Sequence, residues 1–183
     1  MPGGNLGVEI VASIAEATSI SLVWNKASDN EADDGNLTYR VYYSDATLGA
    51  DVASVEAATP AGPASSNIDS YLVNGLSPDT TYYFNVVVAD AAGNKSIYNE
   101  LTQKTAADST SPVAGAGSST VLAATSITET SLNVAWNKAS DDFTAQSSLS
   151  YRLYYSQSTL GTTVAEVETA SAMGAALVDI SSL

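Results

Sequence analysis

Apolar and polar residues alternate along several short stretches of the chain. Ile20, Leu22 and Trp24 fall on one side of an extended segment, with Ser19, Ser21 and Val23 on the other. Tyr39, Val41 and Tyr43 alternate with Arg40 and Tyr42, and Tyr71 and Val73 alternate with Leu72 and Asn74. Tyr82, Phe84, Val86 and Val88 alternate with Tyr83, Asn85 and Val87. A period of two predicts half-buried antiparallel strands, each with one face turned to a core. The stretch 90–96 has hairpin chemistry, with Gly93 and Asn94 tolerating positive φ. Two segments break the pattern. Asp51–Glu56 and Thr163–Glu168 each set two valines at i and i+3 behind a capping residue, and Thr163 with Glu166 fits a capping box. A single helical turn is predicted in each, crossing between sheets of an otherwise all-β chain.

The pattern repeats. Trp24-Asn-Lys-Ala-Ser-Asp29 recurs as Trp136-Asn-Lys-Ala-Ser-Asp141, and Tyr39-Arg-Val-Tyr-Tyr-Ser44 as Tyr151-Arg-Leu-Tyr-Tyr-Ser156. Both pairs share one offset, 136 − 24 = 151 − 39 = 112, so the loop between the blocks keeps its length. A tandem duplication follows, with residues 1–106 as the first repeat, 107–118 as a linker and 119–183 as the second. Small residues with Pro112, Gly115 and Gly117 mark the linker. Val73-Asn-Gly-Leu76 is matched with Ile180-Ser-Ser-Leu183, five residues short of that offset, and on this match the second repeat is expected to lack a counterpart of the last third of the first.

Composition narrows the chemistry. The 183 residues include no His and no Cys, and 6 Lys+Arg stand against 20 Asp+Glu, a formal charge of −14. That excludes His-dependent nucleophilic triads, zinc sites with N or S ligands, haem, iron–sulfur clusters and disulfides. Six basic residues make no footprint for nucleic acid, and no apolar run is long enough to span a membrane. The first residues carry neither a basic n-region nor an apolar h-region of a signal peptide. At 45% hydrophobic residues the chain is a folded protein rather than an acidic tail. Carboxylate pairs are the acid–base chemistry left, and these acids lie on loops without catalytic spacing, so no enzyme and no cofactor are expected.

A Trp ending the second strand, a Tyr-x-Val-x-Tyr third strand and Leu76-x-Pro78-x-Thr80-x-Tyr82 leading into an alternating strand resemble a fibronectin type III domain of the bacterial secreted and surface type. The resemblance implies an immunoglobulin-like antiparallel β-sandwich of sheets ABE and C′CFG. The first repeat is expected to be complete, and the second to depart from the pattern by stopping before strand F, with F and G absent. Trp24 would fill the core and the Tyr82 hydroxyl would bond back to nearby backbone. In the second repeat Trp136, Tyr151, Leu153 and Tyr155 would face an open core, and strand C would offer an unpaired edge.

Two sites are weighed on the residues. Asp29, Glu31, Asp33 and Asp34 crowd one loop, either as a calcium site or as a solvated turn; the spacing departs from an EF-hand, with Gly35 at the seventh place and no Glu at the twelfth. Arg40, Tyr42 and Tyr83 are expected outward on the CFG sheet, either as a binding face or as cross-strand pairs in which Arg covers a Tyr ring. Asn36-Leu-Thr38 and Asn94-Lys-Ser96 are glycosylation sequons, and no Arg-Gly-Asp is present. The expected role is a non-catalytic extracellular or cell-surface spacer, its partners being other domains of one polypeptide or a surface protein or glycan. Three alternatives stand beside it: an adhesion module using the Arg/Tyr face, an accessory domain of an extracellular carbohydrate-active enzyme, and an assembly module accepting a strand in trans.

Overall fold

A computed structural model describes residues 9–29, 34–115 and 123–179. The chain divides into two compact units, Met1–Asp108 and Ser109–Leu183. The described residues of the first unit form nine strands: β1 Val11–Ala15, β2 Ser19–Val23, β3 Thr38–Ser44, β4 Thr59–Pro60, β5 Ser65–Ser66, β6 Ser70–Asn74, β7 Thr81–Ala89, β8 Lys95–Ile97 and β9 Leu101–Lys104. One sheet runs β1-β2-β6. The other runs β4-β3-β7-β8, with β5 also on β3 and β9 also on β7. This is the antiparallel immunoglobulin-like sandwich, its two sheets matching the ABE and C′CFG layers.

The period-two alternation fixes which side chains meet. Ile20, Leu22 and Trp24 point inward from β2 and the residue after it, opposite Tyr39 and Val41 of β3 and Phe84, Val86 and Val88 of β7. The Trp24 and Tyr39 rings lie 6.2 Å apart, and the Tyr39 hydroxyl accepts the Ala27 N–H at 3.0 Å. At the corner before β7 the Tyr82 hydroxyl accepts the Ser77 N–H at 3.0 Å, the tie-back expected for that tyrosine. Gly93 turns the β7–β8 hairpin at φ +88°, whereas Asn94 keeps a negative φ and braces the turn through its amide on Asp90 at 2.7 Å.

The short helix α1, Val52–Glu56, is capped by Asp51, whose carboxylate accepts the Ser54 N–H at 3.0 Å. It covers the outer face of the larger sheet. Val55 packs with Leu48, Tyr42 and Val87 in a second apolar cluster, on the side of the sheet away from the main core. Strand β7 is therefore not half-buried as its alternation suggests: Phe84 through Val88 are all buried. Asn85 sits in that run and is satisfied. Its amide donates to the Tyr98 carbonyl at 3.0 Å and its oxygen accepts the Val86 and Tyr98 N–H groups at 2.7 and 3.2 Å.

The second unit has similar local geometry at an offset of 112, which sets Asp179 against Asn67 and so Leu183 against Tyr71, not against Leu76 as matched from the sequence. It holds β10 Ala123–Thr125, β11 Asn133–Ala135, β12 Ser150–Tyr151, β13 Tyr154–Tyr155, β14 Ser171–Ala172 and β15 Leu177–Val178. Helix α2, Val164–Glu168, carries the complete Thr163/Glu166 capping box. β10 pairs with β11, β12 with β15 and β13 with β14. Burial is another matter. Of the buried hydrophobic residues described, Leu149 alone belongs to this unit; Trp136, Tyr151 and Leu153 are half-buried and Tyr155 is 57% exposed.

Two substitutions at repeat-equivalent sites should expose this difference. Leu37→Ala empties a wholly buried position and is expected to lower the stability of the first unit by about 2–5 kcal/mol in urea unfolding. Leu149→Ala should leave that transition unmoved, since the two sites share no partner.

Candidate functional site

The outward Arg/Tyr face is built by β3 and β7, which pair so that Tyr42 lies opposite Asn85 and Ser44 opposite Tyr83. Its members do not form an open surface. The Arg40 guanidinium lies over the Tyr42 ring, 5.5 Å from the centroid, while its Nε donates to the Gly62 carbonyl at 2.9 Å. Tyr42, expected to be exposed, is 4% exposed, because Leu48 and α1 fold over it. Tyr83 is half-buried against the same cluster. The face is thus a covered layer with Arg40 as its lid.

The second unit copies the arrangement. Arg152 lies over Tyr154 at 5.8 Å and donates through Nε to the Gly174 carbonyl at 3.1 Å. The Tyr151 hydroxyl accepts the Ala139 N–H at 2.8 Å, and the Trp136 and Tyr151 rings lie 5.9 Å apart. The loops are clasped alike as well. Lys26 donates to the Asn67 side-chain oxygen at 2.9 Å and Lys138 to an Asp179 carboxylate oxygen at 2.6 Å. Asn67 and Asp179 both hold left-handed backbone, with φ 57° and 56°. Each unit also buries a tryptophan indole N–H, of Trp24 and of Trp136, without an acceptor.

Of the acidic loop, Glu31 and Asp33 lie outside the described residues. Asp34 opens a 3₁₀ turn, Asp34–Asn36, and Asp29 lies in the segment after β2. The equivalent of Asp29, Asp141, organises its own turn: its carboxylate accepts the Thr144 and Phe143 N–H groups at 2.7 and 3.0 Å, and these bonds hold it below the usual carboxylate range. Asp51 is lowered by its bonds to Ser54, Asp90 by its bond to Asn94, and Glu166 by its bonds to Thr163 and Thr162. Each of these is a carboxylate stabilising a cap or turn. Burial between the sheets pushes the Tyr98 phenol up, with the Tyr39 phenol adding to the effect; its hydroxyl donates to the Asn25 carbonyl at 2.7 Å.

The open core expected from sequence around Trp136, Tyr151 and Leu153 is seen in the second unit. There a groove of about 680 Å³ lies against β12 and β13. Trp136, Tyr151 and Leu153 line its core side, and Tyr154, Leu160 and Val167 its outer side. No Asp or Glu lines it, and a second groove, of about 880 Å³, carries Glu129 alone. Neither offers the facing carboxylate pair that glycoside hydrolysis needs.

Fold and site together define an immunoglobulin-like sandwich module whose titratable groups serve caps and turns. The Fibronectin type III domain family matches residues 8–104, and the chain belongs to that family, a non-catalytic domain type. Exoglucanase B of Cellulomonas fimi is 32% identical over 173 residues, covering 91% of this chain and 14% of the exoglucanase. Chitinase A1 of Niallia circulans is 31% identical over 127 residues, 69% of this chain and 16% of the chitinase. The chain thus spans about a seventh of the length of these relatives. Among solved structures, the fibronectin type III domain of a human fibronectin type III domain containing protein is 21% identical with a TM-score of 0.45, over 60% of this chain and 92% of that one. Among the described residues no helix is long and apolar enough to cross a membrane.

Two outcomes follow from the site. Tyr42→Ala should lower thermal stability as a core truncation does, by about 3–5 kcal/mol, and Arg40→Ala by about 0.5–1 kcal/mol, measured by chemical denaturation. A carboxylate whose folded pKa is depressed adds stability above the ordinary aspartate value and loses it as the pH falls through the lowered one. The melting temperature of the first unit should therefore hold steady above about pH 5 and fall below it. Asp51→Asn, which keeps a capping side chain but removes the titration, should shrink that fall.

Proposed function

We propose that the chain is a non-catalytic spacer and accessory segment of an extracellular polysaccharide-degrading enzyme, its two units being successive fibronectin type III repeats. The observation that carries this is the match to exoglucanase B, which runs over 91% of the chain yet takes up 14% of the relative. Most of such an enzyme, its catalytic part included, lies elsewhere, and this segment is what separates or supports those parts. The composition agrees, with no His or Cys, and neither of the two grooves described carries a pair of carboxylates. The recurrence of the Arg–Tyr stack, the Tyr–backbone bond and the lysine clasp at one sequence offset supports the repeat reading. The partners are then other domains of the same polypeptide. Adhesion through Arg40, Tyr42 and Tyr83 is disfavoured by the burial of Tyr42.

The purified chain should release no reducing sugar from cellulose or chitin. Deleting it from the polypeptide that encodes it should lower activity on the insoluble polymer and leave activity on a soluble oligosaccharide unchanged. Sugar release by the isolated chain, or equal loss on both substrates, would overturn the assignment.

A further inference from the structure

We propose that the outer face of the β1-β2-β6 sheet in the first unit is a contact surface for an insoluble, uncharged polysaccharide. The inference rests on the accessory role and names where the segment meets the polymer.

The wet face of an antiparallel sheet ordinarily carries polar residues. This one departs from that rule. Val11 pairs with Val23 and Val23 with Ser70, forming one row across the three strands. Ile14 pairs with Ser21 and Ser21 with Leu72, forming the next. The four aliphatic side chains are 39–56% exposed, and their adjacent rows make a patch rather than isolated points. Ser19 and Asn74 form the third row, and none of the residues in the three rows is charged, in a chain of formal charge −14.

A bulge puts Ile14 there. The pairing slips by one residue between Ala12 and Ile14, so Ile14 rather than Ser13 stands opposite Ser21. The fold itself does not demand this. In the second unit β10 and β11 pair without a slip, with Thr125 opposite Asn133. At the offset of 112, the inward Ile20, Leu22 and Trp24 recur as Leu132, Val134 and Trp136, all apolar. The outward Val11, Ile14 and Val23 give way to Ala123, Ser126 and Ala135. The core face keeps its character and the outer face does not, so the outer aliphatics answer to something outside the sandwich.

Size and charge select the occupant. Three strands about 4.8 Å apart and five residues long make a face of about 14 by 17 Å, or about 240 Å². A stable dimer takes about 800 Å² from each partner. A second copy would also set Glu9 and Glu16, which flank β1, and Asp69, just before β6, against like charges. Protein surfaces in general bring charged side chains, for which these rows hold no partner. A neutral pyranose polymer brings none. Its ring faces offer C–H groups to the aliphatic side chains, and its hydroxyls can bond those of Ser19 and Ser21 and the amide of Asn74. A contact of this size is weak alone and becomes effective when the rest of a polypeptide holds the segment at the polymer.

The test measures depletion of the whole chain from solution by microcrystalline cellulose and by chitin particles. Beside it runs a variant carrying Val11→Ala, Ile14→Ser and Val23→Ala, residues that the second unit already holds at those places, with Leu72→Ser added. The partition of the variant onto the solid is expected to fall by at least about fivefold, with the unfolding transition of the first unit unmoved. Binding of the unaltered chain should persist at high salt, as an apolar contact does. Ser21→Asp, which puts a charge in the middle of the face, should weaken binding as much, and it decides alone if the fourfold variant fails to fold. No depletion of the unaltered chain, or equal depletion of all three proteins, would overturn the proposal. Dimers seen by sedimentation that the four substitutions dissolve would overturn it in favour of a second copy. In the encoding polypeptide, a neighbouring domain whose melting temperature falls on the four substitutions would overturn it in favour of that domain. Activity of that polypeptide on the insoluble polymer separates the two readings. Loss on deleting the segment but not on the four substitutions removes the contact surface alone; no loss on deletion removes the accessory role as well.

Discussion

The first unit depends on a single strand being dry on both faces. The side chains of Phe84 through Val88 alternate between the space within the sandwich and the space under α1, so one stretch of backbone closes two apolar clusters at once. Burial on both sides leaves no water to satisfy a stray polar group. That is why Asn85 matters. It lies where the neighbour of β7 changes from β8 to β9, and it fills the gap in the ladder with bonds to Tyr98 and to its own chain. A slipped strand would strand that amide in an apolar setting, so the residue that looks least suited to the core helps to fix the register.

The second unit separates two things that usually come together. Its hydrogen bonds reproduce those of the first almost bond for bond: the tyrosine to the backbone N–H, the arginine to the glycine carbonyl, the capped helix. Its burial does not follow. Leu149, 112 positions after Leu37, is buried, whereas Trp136, Tyr151 and Leu153 stay partly open. Polar geometry here is set by short connections along the chain. Desolvation is set by a strand distant in sequence, and no local pattern replaces it.

That division also explains what could be read in advance. The strands were legible because a period of two is written into consecutive residues, and the helical turns because Asp51 and Thr163 stand where caps belong. The family was legible from Trp24, the Tyr39–Tyr43 alternation and the run from Leu76 to Tyr82, residues whose order along the chain reflects their stacking in the sandwich. The burial of Tyr42 and Val87 was not legible. On a strand both read as outward, and what covers them is Val55 and Leu48, brought over the sheet by a helix whose docking leaves no mark in the period. The Arg40–Tyr42 pair was foreseen as a contact but not as a roof. The acidic loop gave composition without geometry, and composition alone does not place a ligand.

The lysine clasps carry a consequence of their own. Lys26 holds a neutral amide in the first unit and Lys138 a carboxylate in the second, on the same left-handed turn. The amide contact gains little from net charge and loses little to ions in solution. The carboxylate contact is a partly exposed ion pair, and mobile ions weaken it. Two loops of like geometry thus respond differently to brine. In a medium whose salinity varies, the loop closed by Asp179 loosens while the loop closed by Asn67 holds.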